Sequence, residues 1–312
     1  MKMILISDFH LSLDKPIART DKDFVKTQFD KLKSVLDFAD NTGAIILQAG
    51  DFFHTPRSWG LLPMVWDLLK QFKTRIHVVF GQHDRYMYSQ NTESTNLGIL
   101  IKGGLVKELT YEGIVYGDYK IYGCGYGDWL TKGLPSPDGN INVLVIHREI
   151  TDQRISKFQE NWIKANEWVE NTKFNITLCG DIHRQFWVNS KSNTKHLFNS
   201  GPLIRRECSE DMLNHKPGFF FWNTETRGEE IELIELHHLP ANEVFSEYHI
   251  ESIKAKEEKK DLFESFIQAM GDSSLVKGVK FDENLNLLME KTNPNKNVRG
   301  IISKTMEEAS ND

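Results

Sequence analysis

The sequence predicts an α/β protein, a two-layered β sandwich flanked by helices, with a small module appended at its C-terminus. Three observations carry this. Five short apolar runs of buried-strand type each stop abruptly at Asp, His or an amide, and helical periodicity separates the first three of them. Beyond about residue 105, short alternating runs and tight turns take over from the long helices.

The first run, Met1-Lys-Met-Ile-Leu-Ile, ends in Asp8 and His10. Side chains two apart on a strand project the same way, so this pair reads as half of a metal site. Ile45-Ile46-Leu47 runs into Gly50-Asp51, and Ile76–Phe80 into Gly81-Gln82-His83-Asp84. Val143–Ile146 ends at His147, and Ile176–Cys179 at Gly180-Asp181-Ile182-His183. C-terminal strand ends are where α/β sheets place their sites.

Between the first two runs, Val25, Phe29, Leu32, Leu36 and Ala39 recur at helical spacing, predicting a helix over 21–41 with a stop at Asn41-Thr42-Gly43. Trp59, Leu62, Val65, Trp66, Leu69 and Phe72 mark a second helix, with Trp59, Trp66 and Phe72 expected in the core or on a dimer face. The order β-α-β-α-β implies parallel strands with right-handed crossovers. Residues 114–116 and 119–122 read as a hairpin across Gly117-Asp118. A helical stretch is expected near 158–169, a strand around His196-Leu197-Phe198 leading into the turn Asn199-Ser200-Gly201-Pro202, and a hairpin from 218–222 and 231–236. From about residue 241 the composition turns charged, with apolar stripes at Leu262, Phe263, Phe266, Ile267 and Met270 and at Val298, Ile301, Ile302 and Met306. Residues 1–240 and 241–312 are therefore read as a main domain and an appended module.

At 312 residues the chain has ample core for both. It has no run of 18 or more apolar residues, and Met1 leads directly into the first strand, so no membrane association and a cytoplasmic location are expected. Three cysteines without a Cys-x-x-Cys pair argue for reduced, buried thiols. The formal charge of −6 argues against coating nucleic acid by bulk charge, although a local basic rim or bound metal ions could still attract phosphate.

A lone Asp-x-His at a strand end is more often a turn residue with a hydrogen-bonded partner. Four companion motifs in order change that reading. Two divalent ions about 3.5–4 Å apart can hold a phosphodiester and activate a water, and they need a bridging carboxylate with mixed His and Asp ligands. Asp8-x-His10, Gly50-Asp51, Gly81-Gln82-His83-Asp84, His147 and Gly180-Asp181-Ile182-His183 resemble the five motifs of the calcineurin-like metallophosphoesterases. Ser7-Asp8-Phe9-His10, the stretch 49–54 and Gly201-Pro202-Leu203-Ile204-Arg205 are most similar to SbcD-type nuclease subunits of DNA-break repair complexes.

The resemblance implies a metallophosphoesterase-type sandwich in which Asp8, His10, Asp51 and His183 hold one metal, and Asp51, Gln82, His147 and Asp181 surround the other. It makes His83 the histidine at the scissile phosphate and places His54 near a DNA end, and with Asp84 beside His83 these three are the expected catalytic residues. The family usually has Asn where Gln82 stands and His where Asp181 stands, and both departures fall on the second metal. The expected activity is metal-dependent hydrolysis at DNA ends with two manganese ions, in a homodimer partnered by an SbcC-like coiled-coil ATPase, the C-terminal module capping DNA or binding that partner. A small-nucleotide phosphodiesterase and a degraded scaffold are the alternatives. A protein phosphatase is disfavoured, because Asp51 is followed by Phe-Phe-His-Thr. Arg184, Arg205 and Arg206 lie near motif ends and could meet phosphates or simply be solvated. His77, His196, His215, His237 and His238 lack motif support and read as surface or internally satisfied histidines.

Overall fold

The computed structural model describes residues 1–89, 91–154, 162–225 and 230–256, with Met289, Lys296 and 298–300 beyond them. In chain order the elements of the first half are β1 (Lys2–Ile6), α1 (Phe24–Thr42), β2 (Ile45–Gln48), α2 (Leu61–Leu69), β3 (Ile76–Val78), α3 (Asn96–Lys102), β4 (Val106–Glu108), β5 (Ile114–Tyr116), β6 (Tyr119–Cys124) and α4 (Asp128–Lys132). They continue as β7 (Ile141–His147), β8 (Ile150–Thr151), β9 (Ile163–Lys164), α5 (Ala165–Asn171), β10 (Ile176–Gly180), β11 (Gln185–Asn189), β12 (His196–Ser200), α6 (Glu210–Asn214), β13 (Gly218–Asn223), β14 (Glu230–Glu235) and α7 (Ala241–Val244).

Two six-stranded sheets result, in the orders β14-β13-β1-β2-β3-β4 and β11-β12-β10-β7-β6-β5. β1 to β4 pair in parallel, as the short helical crossovers require. Alternation along β1 sends Met3 and Leu5 into the layer between the sheets, and Ile4 and Ile6 into the layer under the helices. β7 does the same, with Val143 and Val145 between the sheets and Leu144 and Ile146 beneath the other flank with α5. The sandwich thus has a shared central core and a second apolar layer on each outer face. All the strands carrying the predicted motifs lie side by side within these two sheets, so their C-terminal ends meet at one rim.

α1 starts at Phe24 because the Asp23 side chain accepts from Lys26 N at 2.8 Å, three residues later than the periodicity suggests. It stops where Gly43 takes a left-handed φ of 71°. α2 is shorter than expected. Pro63 is tolerated only in a helix's first turn, which fixes the start at Leu61 and leaves Trp59 outside, 78% exposed. Phe72 is buried beyond the helix end, and Trp66 packs half-buried against the core. Of the helix expected near 158–169, residues 158–161 lie outside the described chain; Ile163–Lys164 is strand, and α5 begins only at Ala165. Asn199 and Ser200 end β12 and are not part of the turn. The turn of the last hairpin, 226–229, and both C-terminal apolar stripes except Val298 also lie outside the described residues.

The chain forms two compact units, Met1–His249 and Ile250–Asp312. The first extends past the composition change near residue 240, because Val244 and Phe245 are buried in it and Thr20 N donates to Val244 O at 2.9 Å. Among the described residues no helix is long and apolar enough to cross a membrane. Cys124 and Cys179 are buried free thiols; Cys208 is partly exposed.

Candidate metal centre

Each motif side chain reaches the rim from a strand end or the loop that follows it. Asp8 and His10 follow β1, Asp51 follows β2, Gln82 and His83 follow β3, His147 ends β7, and Asp181 and His183 follow β10. The backbone there is strained to aim them. Among the described residues, six non-glycine residues have positive φ, and four are Asp8, His10, Asp51 and Asp181. Left-handed backbone costs a non-glycine residue free energy, so its concentration here marks a functional site. Glycine creates the necessary space: a Cβ on Gly81 would overlap Asp51 Oδ1, and one on Gly50, whose φ is 92°, would overlap the His147 ring.

Hydrogen bonds fix the lone pairs. Asp8 Oδ1 accepts from Asp181 N at 3.2 Å and Asp51 Oδ1 from His83 N at 2.9 Å. Both Oδ2 atoms are buried without a hydrogen-bond partner. His147 Nδ1 lies 2.5 Å from the carbonyl of Ala49, which can only accept, so the neutral ring is protonated there and Nε2 is bare. That Nε2 lies 2.6 Å from Gln82 Oε1 and 3.5 Å from Asp51 Oδ2. Gln82 Nε2 donates to Asp181 Oδ1 at 2.7 Å, so its oxygen is the atom turned to His147. On the other side, His10 Nε2 lies 3.0 Å from His183 Nε2 and 3.6 Å from Asp51 Oδ2.

The bare His147 Nε2 thus faces the Gln82 oxygen and the Asp51 carboxylate, acceptor to acceptor, an arrangement that repels unless a cation lies between them. Burial pushes the Asp8 carboxyl up to about 8, with the neighbouring Asp51 charge adding to it against the pull of His147. Burial also raises Asp51 well above the carboxylate range, reinforced by Asp84 and Asp181. Burial lowers His10 far below its ordinary value, helped by His183, His83 and His54, and lowers His183 as well, keeping their rings in the neutral, ligating form. Asp8, His10 and His183 bring ligand atoms within 4.8 Å of one another, and so do Asp8, Asp51 and His147. Carboxylate, imidazole and amide donors with orphaned oxygens fit two divalent ions sharing Asp51.

His54 and His83 stack at the edge of the cluster, ring centroids 5.0 Å apart, and His83 approaches His10 edge-on at 4.9 Å. His83 Nδ1 donates to the His54 carbonyl at 2.9 Å, which leaves Nε2 available. Asp84 plays a different part from its neighbour. Fully buried, it accepts from Phe52 N, Phe53 N and Gly81 N, so it ties the loop after β2 to the loop after β3 and does not contact a reacting group. Arg206 Nη1 sits 3.4 Å from the His10 carbonyl, at the site. Arg205 points away, donating to His215 O and Leu239 O, and Arg184 pairs with Asp152 and Asp211. His77, His196 and His215 hydrogen-bond Tyr116, Asn189 and Pro202 O, outside the cluster.

One supporting residue has no motif of its own. Asn199 accepts from Ser7 Oγ at 3.2 Å and donates to Ile182 O at 2.8 Å, joining the Asp8 loop to the Asp181–His183 loop across the sandwich. Its place beside Gly201-Pro202 reads as an ordinary turn residue.

A two-sheet sandwich with a buried carboxylate and imidazole cluster at its strand ends defines a metal-dependent hydrolase of phosphate esters. The chain belongs to the calcineurin-like phosphoesterase family, whose model matches residues 1–263. No curated protein sequence matches the chain. Among solved structures, it is similar to a predicted phosphoesterase from Streptococcus pneumoniae, with 14% identity over 75% of this chain and 88% of that one and a TM-score of 0.36. It is also similar to a 5'-nucleotidase precursor from Thermus thermophilus (10% identity, 84% and 59% covered, TM-score 0.40). A third is the calcineurin-like phosphoesterase YfkN from Bacillus subtilis (9% identity, 83% and 97% covered, TM-score 0.44).

Proposed function

We propose that the protein is a manganese-dependent DNA nuclease that hydrolyses phosphodiesters at DNA ends, acting as a homodimeric SbcD-like subunit with an SbcC-like coiled-coil ATPase. The observation that carries the hydrolytic part is the orphaned Asp51 Oδ2, buried between His10 Nε2 at 3.6 Å and His147 Nε2 at 3.5 Å. The nucleic-acid part is supported by the Ser7–His10, 49–54 and Gly201–Arg205 stretches.

Asp8, His10, Asp51 and His183 would hold one ion, and Asp51, Gln82, His147 and Asp181 the other. Two such ions supply charge for the phosphoryl transition state and lower the pKa of a water. His83, its Nδ1 fixed on the His54 carbonyl, presents Nε2 to the substrate and as imidazolium protonates the leaving oxygen. The stacked His54 ring holds the plane of His83. Asp84 keeps the Asp51 and His83 loops in register.

The scaffold alternative is favoured by one observation, the Gln82 to Asp181 hydrogen bond, which turns both second-site groups toward each other. Purified protein with manganese, tested on linear DNA, cyclic nucleotides and a generic phosphodiester ester, separates the readings. Chelator-sensitive DNA cleavage is expected. Hydrolysis confined to cyclic nucleotides would replace the nuclease reading with a small-nucleotide phosphodiesterase, and no hydrolysis at all would leave the scaffold.

A further inference from the structure

Behind the loop that carries Arg206, residues of α1, of 204–205 and of the segment following β14 line a half-open cavity of about 240 Å³. Three cations line it, Arg19, Lys31 and Arg205, exposed by only 6%, 7% and 4%. Their counter-charges fall short. Asp21 is consumed by Arg19, which grips both its oxygens at 2.7 Å. Asp30, at the cavity edge, is bound to Lys26 at 2.6 Å. Among the described residues no carboxylate pairs with Lys31 or Arg205.

Carbonyls take only part of their hydrogen-bonding capacity. Lys31 Nζ donates to His237 O at 2.5 Å, which leaves two of its three protons. Arg205 uses Nε on His215 O and Nη1 on Leu239 O, with Nη2 remaining. Buried charge is costly unless it is paired, so two unneutralised cations in one cavity call for an anion. The strain shows on the lysine: burial, with Arg205 and Arg19 close by, pushes its ammonium down to about 8.

We propose that this cavity is an anion site, separate from the metal centre, that takes a small phosphate-type oxyanion between Lys31 and Arg205. A tetrahedral dianion matches the unmet charge and offers enough acceptors for the free N–H groups. Lys31 and Arg205, only 7% and 4% exposed, lie too deep to suit a phosphate within a polynucleotide and favour a small free oxyanion.

The test titrates inorganic phosphate into the full chain at constant ionic strength, with metals removed by chelator so that the metal centre cannot recruit it. Calorimetry should give one binding event, and the melting temperature should rise with phosphate relative to chloride. Lys31→Met, which keeps the apolar stem, should bind phosphate at least about tenfold more weakly. Manganese-dependent hydrolysis in phosphate-free buffer should be unchanged in that variant. Lys31→Gln, which can still donate to the His237 carbonyl, serves as a second neutral variant if the first does not fold. No phosphate binding in the parent, equal affinity in a folded neutral variant, or binding of a short oligonucleotide but not of phosphate would each overturn the proposal.

Discussion

Gln82 donates its side-chain amide to Asp181 Oδ1 at 2.7 Å, and this one bond decides which end of the amide faces the metal centre. The two positions at which the chain departs from the usual family pattern therefore contact each other. Asp181 orients Gln82, and Gln82 Oε1 then lies 2.6 Å from the bare His147 Nε2.

Asp181→Ala should accordingly do more than delete one carboxylate. With its acceptor gone, Gln82 can rotate its NH2 toward His147, and the second ion loses two donors. Manganese titration should show one site retained near parental affinity and the other weakened by about tenfold or more. Equal weakening of both sites would show that Asp181 does not belong to one ion.

Gly81→Ala forces a methyl group onto Asp51 Oδ1, in a loop already held by Asp84. Overpacking of this kind costs about 1–3 kcal/mol when neighbours can shift, and here the neighbour is the shared carboxylate. Manganese affinity and turnover should both collapse, while the far-UV spectrum stays that of a folded protein. Parental activity in this variant would mean that Asp51 has freedom the packing denies it.

His83→Ala should spare manganese binding, since Asp51 accepts from the backbone N–H of residue 83, which alanine retains. Turnover should fall by about 10²–10⁴-fold, the usual contribution of a positioned general acid. A substrate with a good leaving group should be affected much less. An equal loss on both substrates would point to binding as the residue's role.

Acid stability offers a check away from the metal centre. Burial pushes His77 down to about 4 from an ordinary value of 6.5, with Lys107 adding to it. Between those values the unfolded chain binds more protons than the folded one, so stability rises with pH from about 4 to 6.5 and is lost as pH falls through that window. His77→Gln can keep a hydrogen bond to Tyr116. Its denaturation free energy should drop less than the parent's between pH 7 and pH 4, by about 2–3 kcal/mol. Identical drops would mean that His77 is as easily protonated in the fold as in solution.

The sandwich and the cluster were largely legible because strand ends carry their chemistry in contiguous residues: an apolar run followed at once by Asp8 and His10, or by Asp181 and His183, says both where a strand ends and what it presents. Side chains whose work is done at long range gave no such signal. Asn199 reaches Ser7, 192 residues away in sequence, and Asp84 spends its carboxylate on Phe52, Phe53 and Gly81 N–H groups, which only the folded chain assembles. Arg205 and Arg206 are adjacent in sequence yet point to different partners, one to the Leu239 carbonyl beside α1 and one to the His10 carbonyl. β11 carries no strand signal of its own, because Phe186-Trp187-Val188 is a continuous apolar run with no alternation, although Trp187 on this edge strand is 41% exposed. Trp59 has helical spacing to the residues after it, yet lies outside α2, because Pro63 must fall in the first turn and the helix therefore starts at Leu61.

Asp51 is assigned as the carboxylate common to both ions, and Asp51→Asn tests that assignment most directly. An amide keeps the shape and the acceptor for His83 N while removing the negative charge between His10 and His147. Manganese binding and phosphodiester hydrolysis measured on the same folded preparation should fall together, with at least one ion lost and turnover reduced below about one part in 10³. Normal turnover with both ions retained would contradict the assignment of the site.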